Sequence, residues 1–484
     1  MSSFKVFTNF LWRFLERCGA QAVTLIVSIV LARLLDPSVY GVLALVTVFT
    51  TILQAFVDSG LGNALIQKKD ADDLDFSSVF YFNLGVCLIL YALMFFAAPF
   101  IAAFYEMPEL TAVIRVVSLT LIISGIKNVQ QAFVSRNMLF KKFFFATLGG
   151  TIGAAIVGIW MAYKGFGVWA LVAQNLFNLT VDTLILWITV KWRPKWMFSW
   201  KRLRLLLKYG WKLLASKLLD TGYGEIRSLI IGKKYSASDL AFYNKGRQFP
   251  NLLTNNINDS IDSVLFPTMS KEQEDPAQVK SMARRAIKTS TYVMAPLMMG
   301  LAFCAEPLIR LILTEKWLPC VFFMRVFCIT FMFYPMHTAN LNAMKALGRS
   351  DLFLKLEIIK KAVGIALLLS SMWFGVKVIA LSMLVQSVCS QIINTWPNRK
   401  LLNYGYLEQL KDIIPTILLA AFMGATVYCI SFIGLNDILT LVIQFVLGAG
   451  IYILGSLILK LDSLRYVKEL IKKLFSRKKL KEEE

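Results

Sequence analysis

Apolar runs long enough to cross a bilayer as helices follow one another through this chain, with little sequence left between them. Fourteen can be placed, at about 9–33, 40–66, 76–104, 109–135, 143–163, 168–190, 208–232, 239–270, 284–314, 317–345, 355–374, 378–397, 411–433 and 437–459. Hydrocarbon offers no partner to a bare backbone N–H or C=O, so such spans must satisfy themselves as helices. Of the 484 residues 57% are hydrophobic, and the mean hydropathy is +0.62, too apolar for a water-soluble globular chain. The expectation is an all-α polytopic membrane protein with about 14 transmembrane helices. Arg13, Glu16 and Arg17 interrupt the place where a cleavable signal would carry its apolar core, so the first span should remain.

The formal charge of +22 could suggest nucleic acid, but its distribution argues otherwise. Lys and Arg gather on alternate inter-span segments, among them Lys191 and Arg193, Lys201, Arg202 and Arg204, Arg284 and Arg285, and Lys360 and Lys361. The opposite side keeps only Arg33, Lys164, Lys233, Lys234, Lys316 and Lys377. By the positive-inside rule both termini are cytoplasmic, and the charge is first a topology signal. No nucleic-acid partner is expected. Seven cysteines without a CxxC pair read as small buried apolar residues, and a single histidine, His337, excludes a His-based metal cluster. No phosphate-binding GxxxxGK[ST] loop occurs, and the external loops are too short to hold a catalytic domain. Neither enzyme nor cofactor is expected, though coupling to H⁺ or Na⁺ fits a transporter.

Polar faces inside the spans carry the functional signal. In 208–232, Lys217, Asp220, Gly224 and Arg227 fall within roughly 80° of helical arc. A lone charge at the bilayer centre costs about 3 kcal/mol, so this stripe should face protein or water. An internal Lys217–Asp220 pair that only helps packing is the competing reading. The first span aligns Arg13, Arg17, Gln21, Thr24 and Ser28, and the second Thr47, Thr51, Gln54, Asp58 and Gly62. The eighth carries Arg247, Asn251, Asn255, Asn258 and Asp262 along most of its length. The third to sixth read as greasier, with glycines for close packing. The acidic loop from Lys68 to Asp75 could mimic a metal-binding DxD, but a solvated, helix-capping loop is the better reading.

The second half echoes the first in four places: the turns at Ala32–Gly41 and Gly232–Asn244, Asp58–Ser59 and Asp259–Ser260, the segments from Arg136 and from Arg349, and Phe166–Gly167 and Phe374–Gly375. This order implies a duplication of six spans with both halves in the same orientation. The expected layout is an N-lobe over 1–190, a basic connector at 191–207, a C-lobe over 208–404, two additional spans in 405–460 and a basic cytoplasmic tail, 461–484. The two six-helix lobes would enclose a central cavity. Trp192, Trp196 and Trp200 with Lys201, Arg202 and Arg204 suggest that the connector is an amphipathic helix in the headgroup layer.

Leu34 to Gly41 (LLDPSVYG), Asp58 to Gly62 (DSGLG), Tyr209 to Trp211 (YGW), Leu229 to Gly232 (LIIG) and Tyr243 carry a resemblance that extends over essentially the whole chain. They resemble Wzx-type polysaccharide repeat-unit flippases, in the branch with colanic-acid and teichuronic-acid exporters, within the multidrug/oligosaccharidyl-lipid/polysaccharide exporter superfamily. The resemblance implies that undecaprenyl-pyrophosphate-linked oligosaccharide is moved across the cytoplasmic membrane by alternating access. Membrane lipids, polysaccharide polymerase and export proteins would be partners.

The pyrophosphate needs cationic donors, for which Arg13, Arg17, Lys217, Arg227 and Arg247 are candidates. Gln21, Gln54, Asn251, Asn255 and Asn258 could serve the sugars. Asp58, Asp220 and Asp262 could hold those cations or bind a coupling ion. A lipid II flippase of the same superfamily and a drug/cation antiporter are the alternatives; a non-transporting scaffold is opposed by the polar faces.

Overall fold

In the computed structural model every element is a helix among the described residues, which are 3–58, 60–466 and 468. The side chains at 3–11, 13–15, 17, 18, 209 and 350 lie outside that description. The chain divides into two compact units between Ala241 and Phe242.

The first unit contains α1 (Ser3–Leu34), α2 (Pro37–Val57), α3 (Leu61–Gln67), α4 (Asp73–Tyr105), α5 (Leu110–Val117), α6 (Leu119–Arg136), α7 (Phe140–Tyr163), α8 (Val168–Thr189) and α9 (Trp200–Lys234). Local chemistry sets their ends. Pro37 opens α2, where its missing N–H costs nothing. Asp72 accepts from the backbone of Asp75 at 3.0 Å while Asp75 accepts from Asp72, a reciprocal cap for α4. Gly60, at φ +71°, breaks the second apolar run into α2 and α3.

The sequence reading opens the second half with α9, yet α9 packs against α2, α3 and α4 of the first unit. Its far end is tied to α4: Lys233 donates to Glu106 at 2.9 Å and Tyr105 to the carbonyl of Leu229 at 3.4 Å. At this end α2 and α9 pack so closely that a methyl on Gly232 would strike the side chain of Leu45, while one on Gly41 would strike the Ala237 carbonyl at the start of the next helix.

The connector corrects one expectation. Residues 191–199 form no helix; α9 begins only at Trp200. Pro194 supplies the reason, since it lacks an N–H and disfavours helix at Arg193. The strand-like strap is instead stitched to α4. Ser77 and Ser78 accept from the backbone N–H groups of Lys195 and Ser199 at 3.0 and 2.9 Å. Trp192 is buried among Phe76, Phe80 and Phe133, and its indole donates to Asp73 at 3.1 Å.

The second unit holds α10 (Ala237–Lys271, entering from the first), α11 (Pro276–Phe303), α12 (Ala305–Leu313), α13 (Cys320–Met332), α14 (Tyr334–Ala346), α15 (Ser350–Ser371), α16 (Val376–Leu401), α17 (Tyr406–Cys429) and α18 (Asp437–Ile458). The pair in 405–460 is built into this unit rather than appended to it. Asp412 of α17 accepts from Arg284 of α11 at 2.7 Å and from Tyr404 at 2.8 Å. Gln409 and Asn340, both buried, exchange amide hydrogen bonds of 2.7 and 2.9 Å. Of the basic tail, helix is described only at its start, up to Tyr466 and at Lys468; the rest lies outside the described residues.

Among the described residues nine helices are long and apolar enough to cross a membrane, or ten if α11 and α12, bent by 67°, make one span. The remaining runs expected to span, in α1, α9, α10 and α15, are helical but carry more charge. Outward faces are apolar: Phe100, Ile188 and Phe445 are more than three-quarters exposed, while Asn340, Asn398 and Gln409 are buried. That inversion of the soluble pattern places lipid outside.

Candidate functional site

The break at Gly60 leaves Asp58 at the C-terminal end of α2, where exposed backbone carbonyls disfavour a carboxylate. A cation must offset this, and Lys217 of α9 does so with a direct ion pair to Asp58 Oδ2. Gln54 donates to the other carboxylate oxygen at 3.4 Å. The Lys217 and Asp58 side chains remain 48% and 38% exposed. This carboxylate comes to the lysine from another helix.

Two cavities of the first unit meet at this pair. One, about 340 Å³, is lined by Thr47, Thr51 and Gln54 of α2, Thr120 and Ser124 of α6, and Asn175 of α8. The other, about 460 Å³, is lined by Asn63 of α3 and by Asn128, Gln131 and Ser135 of α6. Asp58 and Lys217 line both. The arrangement offers one cation, one carboxylate, and amides and hydroxyls on either side.

The α6 row was missed by a reading that followed charges. Thr120, Ser124, Asn128, Gln131 and Ser135 lie at i, i+4, i+8, i+11 and i+15, the same spacing as Arg247, Asn251, Asn255, Asn258 and Asp262. That repeat of spacing was the available signal.

Other predicted residues lie elsewhere. Gln21 and Asp220 are exposed on α1 and α9, and Arg227 is buried with its guanidinium 5.6 Å from the Tyr223 ring centroid. None of the three lines either cavity. The side chains of Arg13 and Arg17 fall outside the described residues. The Arg247–Asp262 row shares one face of α10, with Asn255 and Asp262 exposed and the others half-buried.

The acidic loop is a structural knot rather than a metal site. Arg202 donates to Asp72 at 2.6 Å, Lys195 pairs with Asp73 at 2.5 Å, and buried Asp75 takes Lys68 at 2.5 Å. Hydrogen bonding to Arg202 pulls the Asp72 carboxyl down to about 2. No cluster of three or more His, Cys, Asp or Glu suited to a metal occurs among the described residues.

An apolar exterior around a polar, ion-paired interior defines a multi-pass membrane protein with an interior built for hydrophilic contact. The chain belongs to the polysaccharide biosynthesis protein family, whose profile matches residues 30–322. It is 24% identical to the teichuronic acid biosynthesis protein TuaB of Bacillus subtilis, over 79% of this chain and 80% of that one. Identity to the lipopolysaccharide biosynthesis protein WzxC of Escherichia coli is 22%, over 76% and 74%. The succinoglycan biosynthesis transport protein ExoT of Rhizobium meliloti is 24% identical, with 63% of this chain matching 62% of its length. In fold the chain is similar to the lipid II flippase MurJ in an inward closed conformation, with TM-score 0.74 at 16% identity over 95% of this chain and 100% of that one. An inward-facing MATE-family multidrug transporter gives 0.61 at 15% identity, over 79% and 94%.

Proposed function

We propose that this chain moves undecaprenyl-pyrophosphate-linked oligosaccharide from the inner to the outer leaflet of the bacterial cytoplasmic membrane by alternating access, with no catalysis of its own. The carrying observation is the half-exposed Lys217–Asp58 pair with a polar cavity on each side. A lysine is a point charge suited to phosphate oxygens. Sugar hydroxyls need partners for every hydrogen bond they give up to water, and the threonines and amides of α2 and α6 supply them. Cavities of this size fall in the range that encloses small ligands. Family membership and the printed roles of TuaB, WzxC and ExoT support polysaccharide cargo. The distribution of Lys and Arg supports cytoplasmic termini.

In this reading Lys217 meets the pyrophosphate while Asp58 holds the cation between cycles, and Arg17 and Arg247 are further candidate donors. Arg13 sits near the mouth, Arg227 on the outward route, and Asp220 and Asp262 are charge partners or coupling sites. Polymerase and export proteins would receive the cargo. The test is flux of a labelled lipid-linked oligosaccharide in proteoliposomes, beside lipid II and a cationic dye. Oligosaccharide flux that falls in Lys217→Gln, Arg17→Gln and Arg247→Gln is expected. Full flux in all three variants removes the site assignment, and dye transport alone replaces the reading with an antiporter.

A further inference from the structure

In the second unit, a separate cavity of about 360 Å³ lies between the start of α11 and the residues that follow α18. Ser281, Arg284, Arg285 and Lys288 reach it from one face of α11, with the Asp462 carboxylate, Ser463, Arg465 and Tyr466 opposite. The cations are not equivalent. Arg284 is taken by Asp412 at 2.7 Å and Glu408 at 3.6 Å. Lys288 lies 3.5 Å from Asp412 and 3.8 Å from Asp462. Arg285 instead stacks on Tyr466, its guanidinium carbon 3.4 Å from the ring centroid, and has no carboxylate partner among the described residues. The ring covers one face of the guanidinium and leaves its N–H edges for a planar or tetrahedral oxyanion.

We propose that this cavity binds a phosphate group, with Arg285 as its primary donor, Lys288 as a second and the Ser281 and Ser463 hydroxyls completing the shell. Two sources share that chemistry, a phospholipid headgroup and free phosphate. A basic pocket at the end of a membrane-spanning pair suits the first. Immediately before it, Leu457, Ile458 and Leu459 are about half or more exposed and would lie along acyl chains. The site is independent of the cargo reading, since it lies on other helices.

The test uses the full chain purified in detergent, exposed to mixed phosphatidylglycerol and phosphatidylcholine vesicles, and read by native mass spectrometry for retained lipid. Preferential retention of phosphatidylglycerol by about fivefold, lost in Arg285→Gln and kept in Lys377→Gln, is the expected result. Inorganic phosphate at millimolar level should displace the lipid if the site takes free phosphate as readily. If Arg285→Gln does not fold, Ser281→Glu places a carboxylate in the cavity without removing a cation and should abolish retention equally. Equal retention of both lipids by the parent protein without phosphate binding, or preference unchanged in Ser281→Glu, overturns the proposal.

Discussion

Two of the lysine–aspartate pairs that join helices among the described residues of the first unit are opposites. Lys127 of α6 and Asp182 of α8 pair with side chains only 15% and 12% exposed. Lys217 of α9 and Asp58 of α2 pair at 48% and 38%, with a cavity on either side. The enclosed pair is nearly out of reach of solvent, and one Asp182 oxygen, Oδ1, lacks a hydrogen-bond partner. It acts as a crosslink whose members cannot be separated cheaply. The open pair is half exposed, so its mutual attraction is modest and its charges remain available. Burial, not residue type, divides the enclosed pair from the one proposed to meet cargo.

The comparison breaks most readily at the enclosed pair. Lys127→Met should destabilise the protein by about 3–5 kcal/mol, because Asp182 is left charged and buried. Lys127→Met with Asp182→Leu should recover most of that loss, as read from the melting midpoint in detergent. Lys217→Gln should do the reverse, lowering oligosaccharide flux about tenfold or more. Its melting free energy should change by less than about 1 kcal/mol. Equal effects of Lys127 and Lys217 variants on both readouts would erase the distinction. Gly60→Ala should cost about 1–2 kcal/mol through its left-handed backbone, made worse by Gly210 Cα at 3.2 Å. Because it also moves Asp58, flux should fall further than the melting midpoint suggests.

The smallest effect concerns the start of α9, which Arg202 ties to Asp72. The Arg202 hydrogen bond pulls the Asp72 carboxyl down to about 2 from the ordinary 3.8. Its contribution is therefore complete above the ordinary value and is lost as pH falls towards 2. Across neutral pH it should be constant. Arg202→Gln should shift acid release of this end of α9, followed by tryptophan fluorescence, upward towards about pH 4.

Much of this was legible because lipid imposes a simple rule: apolar length and charge placement mark helices directly. The stripes holding Asp58 and Lys217 were visible for the same reason, since charges stand out in apolar runs. Thr120, Ser124, Asn128, Gln131 and Ser135 were passed over because uncharged polar residues disturb hydropathy so little. The pairing of Lys217 with Asp58 depends on a helix break and a distant contact, which no single helical wheel contains. The strap at 191–199 was misread because tryptophan and basic spacing outweighed Pro194.

The close seam between α2 and α9 has an energetic consequence. At Gly232 the Leu45 side chain of α2 fills the space a Cβ would take, so this end of the seam is interlocked and parting it would unpack buried apolar atoms. The half-exposed Lys217–Asp58 contact is the looser end of the same seam. Under the proposed function a pyrophosphate arriving at Lys217 would compete with Asp58 for the same ammonium, so cargo and latch could not both be fully satisfied. Occupancy and release of the seam thus become thermodynamically linked: whatever tightens the clasp weakens cargo binding by the same free energy.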